Sequence, residues 1–157
     1  MLVGIIAIVF AFLADQISKY LLAGYMATGE IVSFGDYFSL VKVWNTGVSF
    51  SMFNNHGNFG RIALCILSLT VCVFLVYWML KEKDKIKIIS LGLIIGGALG
   101  NVADRIRFGA VLDFLDFHIA DHHWPAFNLA DSFICIGAGI LIMLELFFAQ
   151  KKGEEQK

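Results

Sequence analysis

Apolar residues gather along this chain in four runs, each long enough to cross a bilayer, which takes roughly 20 residues at about 1.5 Å rise each. The runs cover residues 2–22, 62–80, 86–102 and 128–148; the second carries no charge and the third is rich in glycine. The first lacks a basic leader, and its apolar stretch resumes after Asp15 and Gln16, so it reads as a span rather than a cleaved signal peptide. Between the first two runs the period changes. From Tyr37 to Trp44 and from Val48 to Phe53, aromatic and β-branched residues alternate with Ser and Lys, and Asn45-Thr46-Gly47 separates them as a turn signal. Alternation of this kind predicts strands. The expected architecture is a single integral membrane domain over residues 1–157, mainly α. Four transmembrane helices would carry a small extracytoplasmic β-sheet or hairpin, within about residues 25–60, between helices 1 and 2.

Composition agrees with a membrane protein. Hydrophobic residues make up 59% of the chain and charged residues 16%, against about half and a quarter in soluble domains. A net charge of −1 offers no basic surface for nucleic acid. Cys65, Cys72 and Cys135 lie in apolar runs and read as small packing residues. Lysines orient the spans. Lys81, Lys83, Lys85 and Lys87 join spans two and three, and Lys151, Lys152 and Lys157 follow span four. The positive-inside rule places these, and so both termini, on the cytoplasmic side. The connections over residues 23–61 and 103–127 then face outward, with Trp44, Phe50 and Phe53 suited to headgroup depth.

Polar residues at the span ends carry the chemistry, because an ionisable group costs about 2.5–3.5 kcal/mol at a helix centre on insertion scales. Asp15, Ser18 and Lys19 share one face of span one. Taken alone, they read as an Asp15–Lys19 ion pair with Lys19 snorkelling. Gly92, Gly96 and Gly100 recur every fourth residue, a stripe for close helix packing. Asn101, Asp104 and Arg105 follow, and on their own they read as a cluster that pairs internally and ends the span. Asn128 and Asp131 fit a helix N-cap with an acid in the first turn. Asp113, set among Val, Leu and Phe, has a weaker structural explanation. All of these converge at one depth. Asp15 lies about 21 Å along span one, and spans three and four meet at the same outer surface. Two carboxylates in a poorly hydrated site cannot both ionise cheaply, so Asp113 and Asp131 would share a proton near neutral pH. The ionised member activates water and the protonated member donates to a peptide carbonyl. A helix N-terminus beside Asp131 favours its charge, which makes Asp113 the expected acid.

The motifs Asp15-Gln16-Ile17-Ser18-Lys19, Asn45-Thr46-Gly47-Val48-Ser49-Phe50, the run from Gly96 to Arg105, Val111-Leu112-Asp113-Phe114 and Phe127-Asn128-Leu129-Ala130-Asp131-Ser132 stand in the order of a known family. The chain resembles the lipoprotein signal peptidases, or signal peptidase II, from span one to span four. Val48, Ser49 and Leu112 depart from the usual residues without removing a polar group. The resemblance implies Asp113 and Asp131 as catalytic aspartates. It implies a positioning shell of Asp15, Asn45, Asn101, Arg105 and Asn128, with Lys19 and Gly47 expected to belong to it. It further implies cleavage of prolipoproteins just before a diacylglyceryl-modified cysteine in the bacterial inner membrane, with no metal or other cofactor, and inhibition by the cyclic peptide globomycin. The chain is expected to act as a monomer among membrane lipids. Two rivals make different demands. A proton transporter needs polar groups spread across the bilayer, and a zinc hydrolase would use His118, His122 and His123 with Asp121.

Overall fold

The computed structural model describes residues 1–47 and 59–154. They form α1 (Leu2–Tyr25), β1 (Ile31–Ser33), β2 (Phe38–Asn45), α2 (Phe59–Lys81), α3 (Lys85–Phe108), β3 (Val111–Ile119), β4 (His122–His123) and α4 (Leu129–Glu154). All four helices among the described residues are long and apolar enough to cross a membrane. Each runs past the end of the span expected from hydropathy. At its start α3 is capped by Asp84, whose side chain accepts from the Ile86 and Lys87 N–H groups. At its far end Gly109 takes the left-handed conformation at φ 79°, and its N–H bonds the Arg105 carbonyl. Glycine tolerates that geometry and terminates the helix there.

Helix α3 is the centre of the bundle, with α1 running parallel to it and α2 and α4 antiparallel. The buried face of α1 is Gly4, Ala7, Ala11, Asp15 and Lys19, a stripe at i+3 and i+4 spacing that turns from small to charged. It lies on the glycines of α3. A Cβ at Gly92 would come within 2.6 Å of the Gly4 carbonyl oxygen, and one at Gly96 within 2.5 Å of that of Ile8. Gly97 faces α4 in the same way, 2.5 Å from the Ala130 oxygen. The glycine stripe is therefore a packing device on two sides. Leu75, Met79, Ile88, Leu91, Ile95 and Leu141 fill the remaining core.

A small antiparallel sheet forms as expected, but not from the first connection alone. Its order is β1-β2-β3-β4, so strands from both the α1–α2 and the α3–α4 connections build it. β2 pairs with β1 on one edge and β3 on the other. Val111 to Phe114, read above only as a motif after span three, is the start of β3. An isolated two-stranded ribbon is marginal in water, and the third strand supplies the missing edge partner. The second expected strand, Val48 to Phe53, lies outside the described residues. The register shifts between Leu40 and Val43, where β2 carries an extra residue. In that bulge Lys42 sends its Nζ to the carbonyls of Ala23 (2.7 Å) and Met26 (2.6 Å), tying the sheet to the end of α1. After β4 the chain returns beside β3, and Phe127 exchanges backbone hydrogen bonds with Leu115. That contact brings the start of α4 next to Asp113.

Packing this close predicts a sharp contrast between two glycines. Gly96→Ala should lower thermal stability in detergent by about 1–3 kcal/mol, the usual cost of overpacking. Gly139→Ala, where an added Cβ meets nothing within 4 Å, should be neutral or gain up to about 1 kcal/mol of helix propensity. Equal melting shifts in the two variants would show that the stripe is not a contact surface.

Candidate active site

Where α1 and α3 end, the small residues give way to a buried polar cluster. Lys19, 5% exposed, gives one N–H each to Asp15 Oδ2 (2.8 Å), Asp104 Oδ2 (2.8 Å) and Asn101 Oδ1 (3.0 Å). An ammonium has three donors, and all three are used. Lys19 does not snorkel, because carboxylates from two helices hold it inside. Asp104 pairs with Lys19 across the interface rather than with Asn101 or Arg105 on its own helix. Asp15 also caps another helix: its Oδ1 accepts from the Ala130 N–H at 3.0 Å, in the first turn of α4. Gly100 makes room for this, since a Cβ there would sit 2.5 Å from Asp15 Oδ2.

Asn101 and Asn128 connect this cluster to the two aspartates. The Asn101 amide donates to Asp131 Oδ1 at 2.8 Å. Asn128 stands before the first residue of α4, and its Oδ1 accepts from the Asp131 N–H at 3.0 Å while Asp131 Oδ2 accepts from the Asn128 N–H at 3.3 Å. This reciprocal pair is a capping box. The same Asn128 donates through Nδ2 to Asp113 Oδ1 at 2.7 Å and to Asn101 Oδ1 at 3.2 Å. Asn128 thus caps the helix and also touches both aspartates, so the structural and functional explanations of this pair hold together. Asn45 completes the ring, with its Nδ2 donating to Asp113 Oδ2 at 2.9 Å. Sheet register explains that contact: Asn45 pairs with Val111, two residues before Asp113 on the same face of β3.

Asp113 is 2% exposed. Burial pushes its carboxyl above the ordinary aspartate value; the hydrogen bonds from Asn45 and Asn128 oppose this, and the charge of Asp131 adds to it. Asp131 is half-buried. A cleft of about 320 Å³ opens over Asp113, between Val43, Trp44, Asn45 and Thr46 on one wall and Pro125 and Ala126 on the other. Gly47 takes φ 74°, which glycine allows, and its N–H bonds Asn45 Oδ1 at 2.7 Å, fixing the turn that aims Asn45. The same glycine lies against Arg105, whose Nη2 would be 3.4 Å from an added Cβ. Among the described residues Arg105 Nε is buried without a hydrogen-bond partner. Sequence reasoning missed Gln16 and Arg107. Gln16 Nε2 donates to Asp104 Oδ1 (2.9 Å) and its Oε1 accepts from Arg107 (3.3 Å). Their only signal was a polar residue beside Asp15 and a second arginine near the end of α3.

Comparisons with known proteins identify the family. A family model described as Signal peptidase (SPase) II matches residues 6–148. The chain belongs to the signal peptidase II family. Among its relatives is the lipoprotein signal peptidase of Anaplasma phagocytophilum (strain HZ), 44% identical over 146 residues that cover 92% of each chain. That of Aeromonas hydrophila subsp. hydrophila is 44% identical over 147 residues, 92% of this chain and 87% of its own. A bacterial membrane enzyme solved by the in meso method at 2.3 Å resolution shares the fold, with a TM-score of 0.80 at 28% identity. It covers 95% of this chain and 90% of that one.

The histidines of this signal peptidase II chain lie apart from the aspartates. His118 Nε2 contacts Ser39 Oγ at 3.0 Å and His123 Nδ1 contacts Asp116 Oδ2 at 2.8 Å. Among the described residues no three His, Cys, Asp or Glu side chains are placed to hold a metal ion. The histidines instead line a larger cavity of about 490 Å³ at the β3–β4 tip, with Tyr37 and Trp124. None of the residues around the aspartates lines it. The buried ion cluster makes a stability prediction. Asp15→Ala leaves Lys19 short of one carboxylate and Ala130 N–H without its acceptor, so it should destabilise the protein by about 3–5 kcal/mol. Glu145→Ala, which breaks the partly exposed pair with Lys87, should cost less than about 1 kcal/mol. Chemical unfolding in detergent measures both, and comparable costs would contradict the reading of a buried, mutually dependent cluster.

Proposed function

We propose that this chain is an aspartic endopeptidase of the bacterial inner membrane that removes signal peptides from prolipoproteins, cutting just before the diacylglyceryl-modified cysteine. The observation that carries the reading is the single asparagine, Asn128, donating to both carboxyl groups, through Nδ2 to Asp113 and through its backbone N–H to Asp131. Two carboxyl groups bracketed this closely in a desolvated site hold one proton between them. Asp131, in the first turn of α4 and accepting from the Asn101 amide, is the ionised member, because a helix N-terminus favours negative charge. It takes a proton from a water molecule as that water attacks the scissile carbonyl. Asp113, buried and raised, holds its proton near neutrality. It donates to the carbonyl oxygen as general acid; Asp131 then passes the proton it took from water to the leaving amine, and Asp113 recovers its own from the gem-diol hydroxyl as the C–N bond breaks.

The positioning roles follow from placement. The Asn45 amide keeps Asp113 turned toward the cleft. Arg105 Nε, which has no hydrogen-bond partner among the described residues, is a donor for a peptide carbonyl of the substrate, and Gly47 keeps that approach open. Asp15 and Asn101 hold Asp131 through the α4 end. The ends of α1 and α3 that carry these groups lie opposite the lysine-rich link of α2 and α3 (Lys81 to Lys87). With lysines inside, both termini are cytoplasmic and the cleft opens at the outer leaflet. A diacylglyceryl anchor places the cysteine, and so the scissile bond, at that surface. Globomycin, a cyclic peptide, would compete for the same cleft.

Purified protein incubated with a lipidated precursor tests the reading. Asp113→Asn and Asp131→Asn should each remain folded and lose at least about 100-fold in cleavage, the usual scale of a general acid or base. Retained cleavage by either variant would overturn the pair. The pH profile tests the role of Asp113 separately. Activity needs its proton, so the rate falls as pH rises through its raised pKa. Removing the Asn45 hydrogen bond, which favours the charged form, raises that pKa further. Asn45→Ala should therefore move the alkaline limb to higher pH, and a limb that stays or moves down would assign it to another group.

A further inference from the structure

Lys19 has no N–H left for a substrate and does not border the cleft over Asp113. It reaches toward the aspartates through the Asn101 carbonyl oxygen and through Asp15, which accepts from the Ala130 N–H next to Asp131. Asn101 is asymmetric in what surrounds it. Its Oδ1 receives Lys19 and Asn128, and its Nδ2 faces Asp131 Oδ1. Turned over, the amide would set its NH₂ against an ammonium and another amide donor, and its oxygen against a carboxylate. An ammonium has donors only, so Lys19 excludes that arrangement whatever its own rotamer. Its charge also polarises the amide, and chained hydrogen bonds in a low-dielectric interior strengthen one another.

We propose that Lys19 is a positioning residue acting on the aspartate pair from behind, holding the Asn101 amide in the sense that donates to Asp131 and supplying the buried positive charge that sets the upper pH edge of activity. This rests on the aspartic reading above. The charges around Lys19 are known from each packed element: Asp15 on α1, Asp104 on α3, Asp131 on α4 beyond Asn101, and Asp113 on β3. On α3, Arg107 bonds Gln16, and Arg105 lies against Gly47 at the cleft side. Lys19 approaches the pair from the opposite, buried side, and its charge favours ionised Asp113.

The test is the pH dependence of kcat and KM on a diacylglyceryl-cysteine peptide, with thermal unfolding as the check on folding. Lys19→Gln keeps an N–H donor but removes the charge. It should lower kcat about tenfold with KM unchanged, the pattern of an interaction that matters only in the chemical step. Its alkaline limb should move up by about one pH unit. Lys19→Arg keeps the charge and should keep the limb at the wild-type position. Asp104→Asn leaves Lys19 with Asp15 and Asn101 but removes a negative charge, so its limb should move down. A limb unmoved in both Lys19→Gln and Asp104→Asn overturns the inference however much the rate falls. A raised KM with kcat intact overturns it too, by making Lys19 a substrate contact. If Lys19→Gln does not fold, Asp104→Asn decides alone: a downward shift supports the inference, and no shift or an upward one ends it. Asp113→Asn measured alongside separates the two levels. If it still cleaves, the aspartic reading has failed; if it is inactive and the limbs stay fixed, only the role of Lys19 has.

Discussion

One buried ammonium organises this end of the molecule. A charge taken from water costs several kcal/mol unless its partners are well placed, and Lys19 finds all three of its partners between α1 and α3. Those partners reach it only because the two helices touch backbone to backbone along the stripe that begins at Gly4 and Gly92. At Gly100 the stripe leaves room for one carboxylate oxygen. Small residues therefore do more than pack the bundle. They let charged side chains from two helices meet without water, and that meeting fixes Asn101 and the first turn of α4.

The second ingredient is the use of helix and strand ends as chemistry. Asp131 sits where α4 exposes unpaired N–H groups, Asn128 closes the cap, and Asp15 takes the remaining Ala130 N–H from a different helix. Asp113 arrives by another route, on a strand that joins the α1–α2 and α3–α4 connections into one sheet. A carboxylate held by a helix start and a carboxyl held in a buried strand experience different environments. Such a difference is what separates an acid from a base when both are aspartates.

Much of this was legible from sequence for a simple reason. Spans are long and repetitive, and a charge inside one is conspicuous, so Asp15, Lys19, Asn101 and Asn128 stood out without any geometry. The sheet was half legible. Period two marked β2, but Val111 to Ile119 is buried over most of its length, and a buried strand loses the polar alternation that would reveal it. Its pairing with β2 across 68 residues, seen in the Asn45–Asp113 contact, leaves no local trace at all. The burial of Lys19 was not legible, since snorkelling is the default for a lysine near a span end and only the opposing Asp104 overrides it. Gln16 and Arg107 were missed because an uncharged amide beside a conspicuous acid attracts no notice, and its role depends on a partner on another helix.

The central claim is that the two aspartates hold one proton near neutral pH, chiefly on Asp113. Infrared spectroscopy of protein with isotopically labelled aspartate reads this directly, through the C=O stretch of a protonated carboxylic acid. The account predicts such a band at neutral pH, absent from Asp113→Asn and lost only as pH rises above the ordinary carboxylate range. A spectrum in which every aspartate is ionised at neutral pH, or a band that survives in Asp113→Asn unchanged, would contradict it.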